Sequence, residues 1–497
     1  MIKYFSSLFA ALTPASKRSR YNLWKDITIG DAKMFLAYIL MMGVIKKPYL
    51  AMYWSTDPNL ATPFFSKYIA RDRFLLILSM FHLNDEKQFT EVESKKPKEE
   101  QDRLFKLRPL VDLLSKTFLL YKPTKELALD EGGCPWKGRL SIKVYCPMKP
   151  NRFSIKTFQV CEATSGYTMA FEVYTGKSAD FGDGDDEEDT RKTTKLVMYM
   201  MEKAGCLDKG HHLYMDNYYN SPQLCEALSE KLIPCCGTLN TGRDGVPQVV
   251  KATKKAFKKK NRGECVWRRK GDILILCWQD KKPVTTISTI HAARMKNLKK
   301  NFNQEMIKKP ESIVEYNKYM YGVDLGDQLL VNCTPLRKTM KWWRKLTFHF
   351  VNMALVNSWV LYKKYQHHAE NPDANAPKIT HTQFTVEIVD ALVKEARDDM
   401  SVTPIPKTPF KVDDKERQEG FHFPIQNETT KPNAKRAKPA RPCKLCNFRG
   451  VPGYSCYRCE KCKVTLHIEC FKAWHSVERI DRETVKKYFE DADDAEK

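Results

Sequence analysis

The 497-residue chain predicts a mixed α/β core, preceded by a helical domain and followed by a small zinc-binding Cys/His-rich domain. Three observations carry this. Residues 20–120 have apolar side chains at helical spacing, as in Phe74, Leu75, Ile77, Leu78 and Phe81, and again in Leu110, Leu113 and Leu114. From Glu126 onward, short β-type runs alternate with helical stretches, the pattern of an α/β domain. Six of the 16 cysteines fall between Cys443 and Cys470, while the others are scattered.

The helical domain is assigned to residues 1–118, with Asp31 expected to cap a helix from near Ala32. The first part of the core, 119–238, contains strand-like runs at 127–129, 155–161 and 168–174, and a helix near 193–204. A short strand at 212–215, a helix from Pro222 and a strand near 232–236 complete it. The acidic stretch 180–189 reads as a solvated loop. Residues 239–310 break the pattern with turn residues, the basic run 251–260 and β-like runs at 273–278 and 284–290, and are read as an insertion. Helices resume near Glu311 and over 341–365, giving a second part of the core at 311–370. A Pro-rich, charged linker at 371–441 leads to the Cys/His module at 442–476 and an acidic tail at 477–497.

Composition narrows the function. Lys and Arg number 84 against 60 Asp and Glu, a formal charge of +24, which attracts polyanions and puts nucleic acid first among partners. The longest apolar stretch, 34–44, is too short to span a membrane, so no membrane partner is expected. Ser6 and Ser7 interrupt the apolar run of the first 16 residues and no clean cleavage site follows, so they are not read as a signal peptide. Scattered thiols with one cluster fit reduced cysteines plus metal better than a disulfide framework.

Asp130 ends the run Leu127-Ala128-Leu129-Asp130, and Asp216 ends Leu213-Tyr214-Met215-Asp216. Asp324 and Asp327 are three apart in Gly322-Val323-Asp324-Leu325-Gly326-Asp327, which puts both on one helix face. Carboxylates at strand ends, facing a helix that supplies another, can hold hard divalent cations, and two such cations suit phosphodiester chemistry. Taken singly, each of these aspartates reads more readily as surface charge or a cap than as a metal ligand.

The surrounding words add a resemblance. Asp130-Glu131, Lys137-Gly138-Arg139, Lys149-Pro150 and Ile155-Lys156 resemble the first catalytic motif of piggyBac-family transposases. Val173-Tyr174-Thr175-Gly176-Lys177 is similar to the family's stretch just after that motif. Met215-Asp216-Asn217-Tyr218-Tyr219 and Tyr321-Gly322-Val323-Asp324-Leu325-Gly326-Asp327 resemble the second and third motifs. Trp278-Gln279-Asp280-Lys281-Lys282 and Lys341-Trp342-Trp343-Arg344 also match family positions, and Tyr53-Trp54-Ser55 and Arg73-Phe74 match more loosely. The resemblance implies an RNase H-like core broken by an insertion, and cut-and-paste DNA transposition at TTAA targets through hairpin intermediates. It also implies a homodimer acting on double-stranded DNA with terminal inverted repeats. Asp130, Asp216 and Asp324 would hold two Mg²⁺ (or Mn²⁺) ions, with Asp327 as the family's additional acid. Water and DNA 3′-hydroxyls would be the attacking groups. Family members commonly carry a longer N-terminal extension, which bears on DNA-end binding and dimer assembly. The alternatives are a domesticated, non-transposing nuclear DNA-binding protein, or a chromatin reader.

The C-terminal pattern is Cys443-x2-Cys446, Cys456-x2-Cys459-x2-Cys462, His467-x2-Cys470 and His475. Paired Cys at this spacing reach one ion, and eight donors suit two tetrahedral Zn²⁺ ions that drive folding of so short a segment. A cross-brace would join Cys443 and Cys446 with His467 and Cys470, leaving Cys459, Cys462 and His475 for the second ion, with Cys456, the weakest member, either its fourth ligand or a spectator. The 459–470 part resembles a PHD finger, which is the basis of the chromatin-reader alternative. For DNA contact the candidates are Lys254, Lys255, Lys258, Lys259, Lys260, Arg262, Lys341 and Arg344, with a solvated loop as the equal alternative for the lysine run. The basic run 431–441 reads as a nuclear import signal, so a nuclear location is expected.

Overall fold

The computed structural model describes residues 24–98, 100–147, 149, 151–176, 192–251, 262–298, 307–335, 338–368, 379–399, 422–427, 439–451, 453–477, 480, 484–485 and 488–489. It divides into two compact units, 1–401 and 402–497.

The first unit opens with helix α1 (Ile29–Val44). Thr28 is its N-cap, and Asp31 supplies the returning half of a capping box: the Thr28 hydroxyl accepts from Asp31 N at 3.0 Å, and the Asp31 carboxylate accepts from Thr28 N at 3.1 Å. The cap therefore lies three residues earlier than expected at Asp31. Arg73, on α2 (Arg71–Met80), adds an ion pair to Asp31 at 3.0 Å. α1 is apolar on most of its surface and is buried on most sides, with Tyr38 at the centre of an aromatic cluster of Trp54, Phe64, Phe65 and Phe74. The Tyr38 hydroxyl donates to the Phe65 carbonyl and accepts from Ile69 N, both at 2.9 Å, so this polar atom is satisfied within the core. Helix α3 (Arg108–Phe118) leads into the sheet.

The sheet strands are β1 (Glu126–Pro135), β2 (Lys143–Tyr145), β3 (Phe153–Glu162), β4 (Thr168–Val173), β5 (His212–Met215), β6 (Cys235–Thr238), β7 (Cys265–Lys270), β8 (Ile273–Gln279) and β9 (Pro283–Ser288). Their order is β2-β3-β1-β5-β6-β9-β8-β7, and β4 pairs with β3 beyond β2. β1, β5 and β6 run parallel, and the remaining pairings are antiparallel. Strands β7–β9, from the segment read as an insertion, hydrogen-bond onto β6 and extend the same sheet. Between the strands, α4 (Lys192–Lys203) and α5 (Pro222–Glu230) bury Leu196, Val197, Met200, Leu224 and Leu228 against them. α5 has Ser221 as N-cap and Pro222 in its first turn. The acidic stretch 180–189 and most of the basic run 251–260 lie outside the described residues.

A hairpin, β10 (Met295–Leu298) with β11 (Ile307–Pro310), precedes helices α6 (Glu311–Tyr319), α7 (Gly322–Asn332) and α8 (Trp342–His368). Trp343 is buried, stacked at 6.0 Å on Phe81, whereas Trp342 is only partly covered. Residues 371–441 were read as a linker, but a nineteen-residue helix, α9 (His381–Asp399), lies within them. It packs along α1 with Phe384, Val389, Val393 and Ala396 in the same core as Met34 and Tyr38. Lys33 secures the contact, pairing with Asp399 at 2.7 Å and Glu395 at 3.0 Å. No described helix is long and apolar enough to cross a membrane.

The second unit contains β12 (Pro424–Gln426), β13 (Arg441–Pro442), α10 (Lys444–Arg449), β14 (Tyr454–Ser455), β15 (Tyr457–Cys459) and α11 (Ile468–Ser476). β12 pairs with β15, and β13 with β14. Its small core combines the thiols of Cys443, Cys459, Cys462 and Cys470 with Leu445, Val464, Leu466, Ala473, Trp474 and Val485.

Candidate functional site

The carboxylates are set by the parallel strands. Leu129 of β1 is in register with Met215 of β5, so Asp130, within β1, and Asp216, just past the end of β5, are the next residues along the two neighbouring strands. β5 stops at Met215, but β1 runs past Asp130 to Pro135 because β3 keeps pairing with it, Pro135 against Ser154. Asp130 is therefore within a strand and not at its end.

Helix α7 descends on the same strands. A Cβ on Gly322 would stand 3.0 Å from both Ala128 Cβ and Ala163 Cα. One on Gly166, whose φ is +73°, would stand 2.8 Å from the backbone N of Gly326. Only glycine permits so close an approach in that conformation. Gly166→Ala is expected to cost about 2–5 kcal/mol, from the left-handed penalty of ~1–2 and overpacking of ~1–3. Urea unfolding checks this, and an unchanged midpoint would refute the close seating of α7.

Burial and near neighbours perturb three of these acids. Burial pushes Asp130 up to about 7, aided by the Glu131 and Asp216 charges and opposed by the Glu131 backbone N–H and Lys149. Burial also raises Asp216, against the hydrogen bond that its Oδ1 accepts from Tyr218 N at 2.8 Å. Asp327 is pushed up to about 6, mainly by burial, with Asp324 adding to the effect and Lys149 opposing it. Asp324, one turn earlier on α7, is exposed. Glu131 accepts from Lys156 Nζ at 2.8 Å and from the Tyr219 hydroxyl at 3.0 Å, and Lys149 Nζ donates to the Glu131 carbonyl at 2.8 Å. Glu131, Lys149, Lys156 and Tyr219 were not singled out from sequence as site residues, although each stands inside or beside one of the piggyBac-like motifs.

The cysteine-rich unit holds two four-donor sets, each with its donor atoms within 4.8 Å of one another; among the described residues, these are the sets of three or more that could hold a metal ion. The first is Cys443, Cys446, His467 and Cys470, with Cys446 Sγ 3.3 Å from His467 Nδ1 and 3.5 Å from Cys470 Sγ. The second is His422, Cys459, Cys462 and His475, with His422 Nδ1 3.3 Å from Cys459 Sγ and Cys462 Sγ 3.5 Å from His475 Nε2. These spacings fit the edges of tetrahedra around zinc with Zn–S near ~2.3 Å and Zn–N near ~2.0 Å. Two histidines are oriented from behind: His475 Nδ1 meets the Phe471 carbonyl at 2.7 Å, and His467 Nε2 meets the Tyr454 carbonyl at 3.0 Å.

Here the structure corrects the expected ligand set. Cys456 belongs to neither group, and its place is taken by His422. Cys456 lies between β14 and β15, while β12 lays the chain beside β15 and carries His422 to the second group. In sequence His422 lies far upstream of Cys443, in a segment read as linker, and only a count of donors per ion could have prompted a search for it.

Of the basic candidates, Lys254, Lys255, Lys258, Lys259 and Lys260 lie outside the described residues. Arg262 pairs with Asp280, its Nε at 2.7 Å from Oδ1. Lys341 lies over the Trp343 ring at 5.8 Å. Arg344 lines a cavity with the end of α1.

A family model described as Transposase IS4 matches residues 3–359. The chain belongs to the piggyBac-type transposase family. Human PiggyBac transposable element-derived protein 3 is 28% identical over 348 residues, covering 68% of this chain and 56% of that protein. Human PiggyBac transposable element-derived protein 2 is 24% identical over 351 residues, covering 69% and 57%. The chain thus spans a little over half the length of these relatives. A cryo-EM structure of a piggyBac transposase synaptic complex with hairpin DNA superposes with a TM-score of 0.66 at 19% identity, covering 90% of both chains. The mixed α/β fold is thus that of the piggyBac transposase.

Proposed function

We propose that this piggyBac-type chain cleaves and rejoins double-stranded DNA in cut-and-paste transposition, with Asp130, Asp216, Asp324 and Asp327 forming its acidic centre. The observation that carries the reading is the placement of Asp130 and Asp216 each one residue beyond the Leu129–Met215 pair of parallel strands, both with raised pKa. Carboxylates pushed up mainly by burial fit a divalent-cation site, because a cation would offset the cost of burying their charge. Mg²⁺ ions bound there would activate a water or a 3′-hydroxyl and steady the leaving oxygen. Asp130 and Asp216 would hold the ions from the sheet, and Asp324 and Asp327 from α7. The contacts of Glu131 with Lys156 and Tyr219 fix the strand beside Asp130. The Cys/His unit would hold two structural Zn²⁺ ions.

TTAA targets, terminal inverted repeats, a homodimer and a nuclear location belong to the same reading. The basic run 431–441 that suggests nuclear import lies outside the described residues except at its end. A second reading, a DNA-binding protein that no longer transposes, draws support from the relatives' names, which call them element-derived.

The test is excision in cells of a reporter flanked by candidate terminal repeats and TTAA sites. Wild type is expected to excise seamlessly, and Asp216→Asn to lose about 10³-fold, corresponding to roughly 4 kcal/mol of barrier. Repeats that the protein binds but never excises would overturn the catalytic reading in favour of the second.

A further inference from the structure

The first unit contains a cavity of about 640 Å³ between the end of α1, residues 46–50, α2, Thr334 and Pro335, Lys338 and Thr339, and the start of α8. That is within the range of ~300–1,000 Å³ for small-ligand pockets. Its floor is apolar and partly aromatic: Ile39, Met42, Phe74, Leu78 and Phe348. Its rim is cationic, with Lys46, Lys338, Arg344 and Lys345, and no carboxylate is among the described residues that line it.

Arg344 is the telling member. Its Nε and Nη2 are buried and find no hydrogen-bond partner among the described residues, the guanidinium meeting only the face of Trp343 at 5.5 Å. A buried cation without an acceptor is costly, and in a native structure it calls for an explanation. Arg344 is also the third residue of the 27-residue helix α8, so the helix dipole adds positive potential at the same place. The cavity therefore joins a phosphate-seeking rim to an apolar floor.

Paired DNA cannot use such a floor, because its rings are stacked inside the duplex. An unpaired nucleotide presents a ring and a phosphate together, and rings bind well on aromatic side chains. We propose that this cavity takes an unpaired nucleotide of the bound DNA, its ring on the half-buried Phe348 and its phosphate at Arg344 and Lys345. The inference rests on the DNA-acting reading above.

Fluorescence anisotropy on the full chain tests it with two probes, an intact duplex and the same duplex carrying two unpaired nucleotides. Wild type is expected to prefer the interrupted duplex about tenfold, the scale of one stacked ring. Arg344→Met and the surface change Lys338→Ala, each with an unchanged melting temperature, are expected to pull that ratio toward one. Millimolar dTMP should displace the interrupted duplex from wild type and not from Arg344→Met; displacement that is equal in both would assign the competition to another site and count against the cavity. A wild-type ratio near one, or a ratio untouched by both substitutions, overturns the proposal. A wild type that binds neither duplex overturns the DNA-acting reading itself, and the proposal with it.

Discussion

Asp130→Asn is expected to make the metal-free protein more stable and, at the same time, inactive. The folded-state pKa of Asp130, about 7, stands above its ordinary 3.8. The stability gained by holding the proton is therefore complete below pH 3.8 and lost as pH rises through about 7. At pH 8 without metal, the buried charge costs up to about 4 kcal/mol, some three pKa units at ~1.36 each. Asn keeps the shape and removes the charge, so its melting temperature at pH 8 should exceed that of wild type by several degrees. The gap should shrink by pH 5 and close near pH 4. Mg²⁺ should reverse the order: a ligand at 100 times its Kd stabilises by ~2.7 kcal/mol, and only wild type should gain it. Strand cleavage by the variant should fall by about 10³-fold or more, since a cation ligand is lost. Scanning fluorimetry at two pH values, with and without Mg²⁺, checks all but the last. Equal melting temperatures at pH 8 together with equal Mg²⁺ responses would sink the assignment.

The second large effect belongs to the cysteine-rich unit. Chelation is expected to unfold residues 402–497 while the 1–401 unit keeps its own transition, because structural zinc supplies roughly 10–16 kcal/mol to segments of this kind. Elemental analysis should find two Zn per chain. His422→Ala and His475→Ala should each lower that to one, whereas Cys456→Ser should leave it at two. A value of two for His422→Ala with one for Cys456→Ser would restore the spacing-based ligand set and refute the geometric one.

The sequence made some parts legible and hid others for identifiable reasons. The strand over 212–215 was readable to the residue because four apolar or aromatic positions end abruptly at Asp216. β1 is longer than the run 127–129 suggests, because β3 pairs straight through Gly132 and Gly133 as far as Pro135. α9 was hidden by its charge and by the Pro-rich stretches around it. Phe384, Ile388, Val389, Leu392, Val393 and Ala396 do fall on one helical face, so the signal was present and was overridden by composition. The capping error at α1 was one of role: Asp31 does serve the helix start, but through the Thr28 amide. His422 was beyond reach, since strand pairing of β12 with β15 brings it in and no local pattern encodes that pairing.

The packing of α9 on α1 also has a consequence for biosynthesis. Lys33 and Asp399 are 366 residues apart in the chain. At about 5–20 residues per second, a ribosome needs roughly 20–70 s to deliver the second partner after the first has been made. Throughout that interval the face of α1 that α9 covers must stay wet or be sheltered by a chaperone. A nascent chain halted before residue 381 should therefore recruit hydrophobic-binding chaperones more strongly than one released past residue 399.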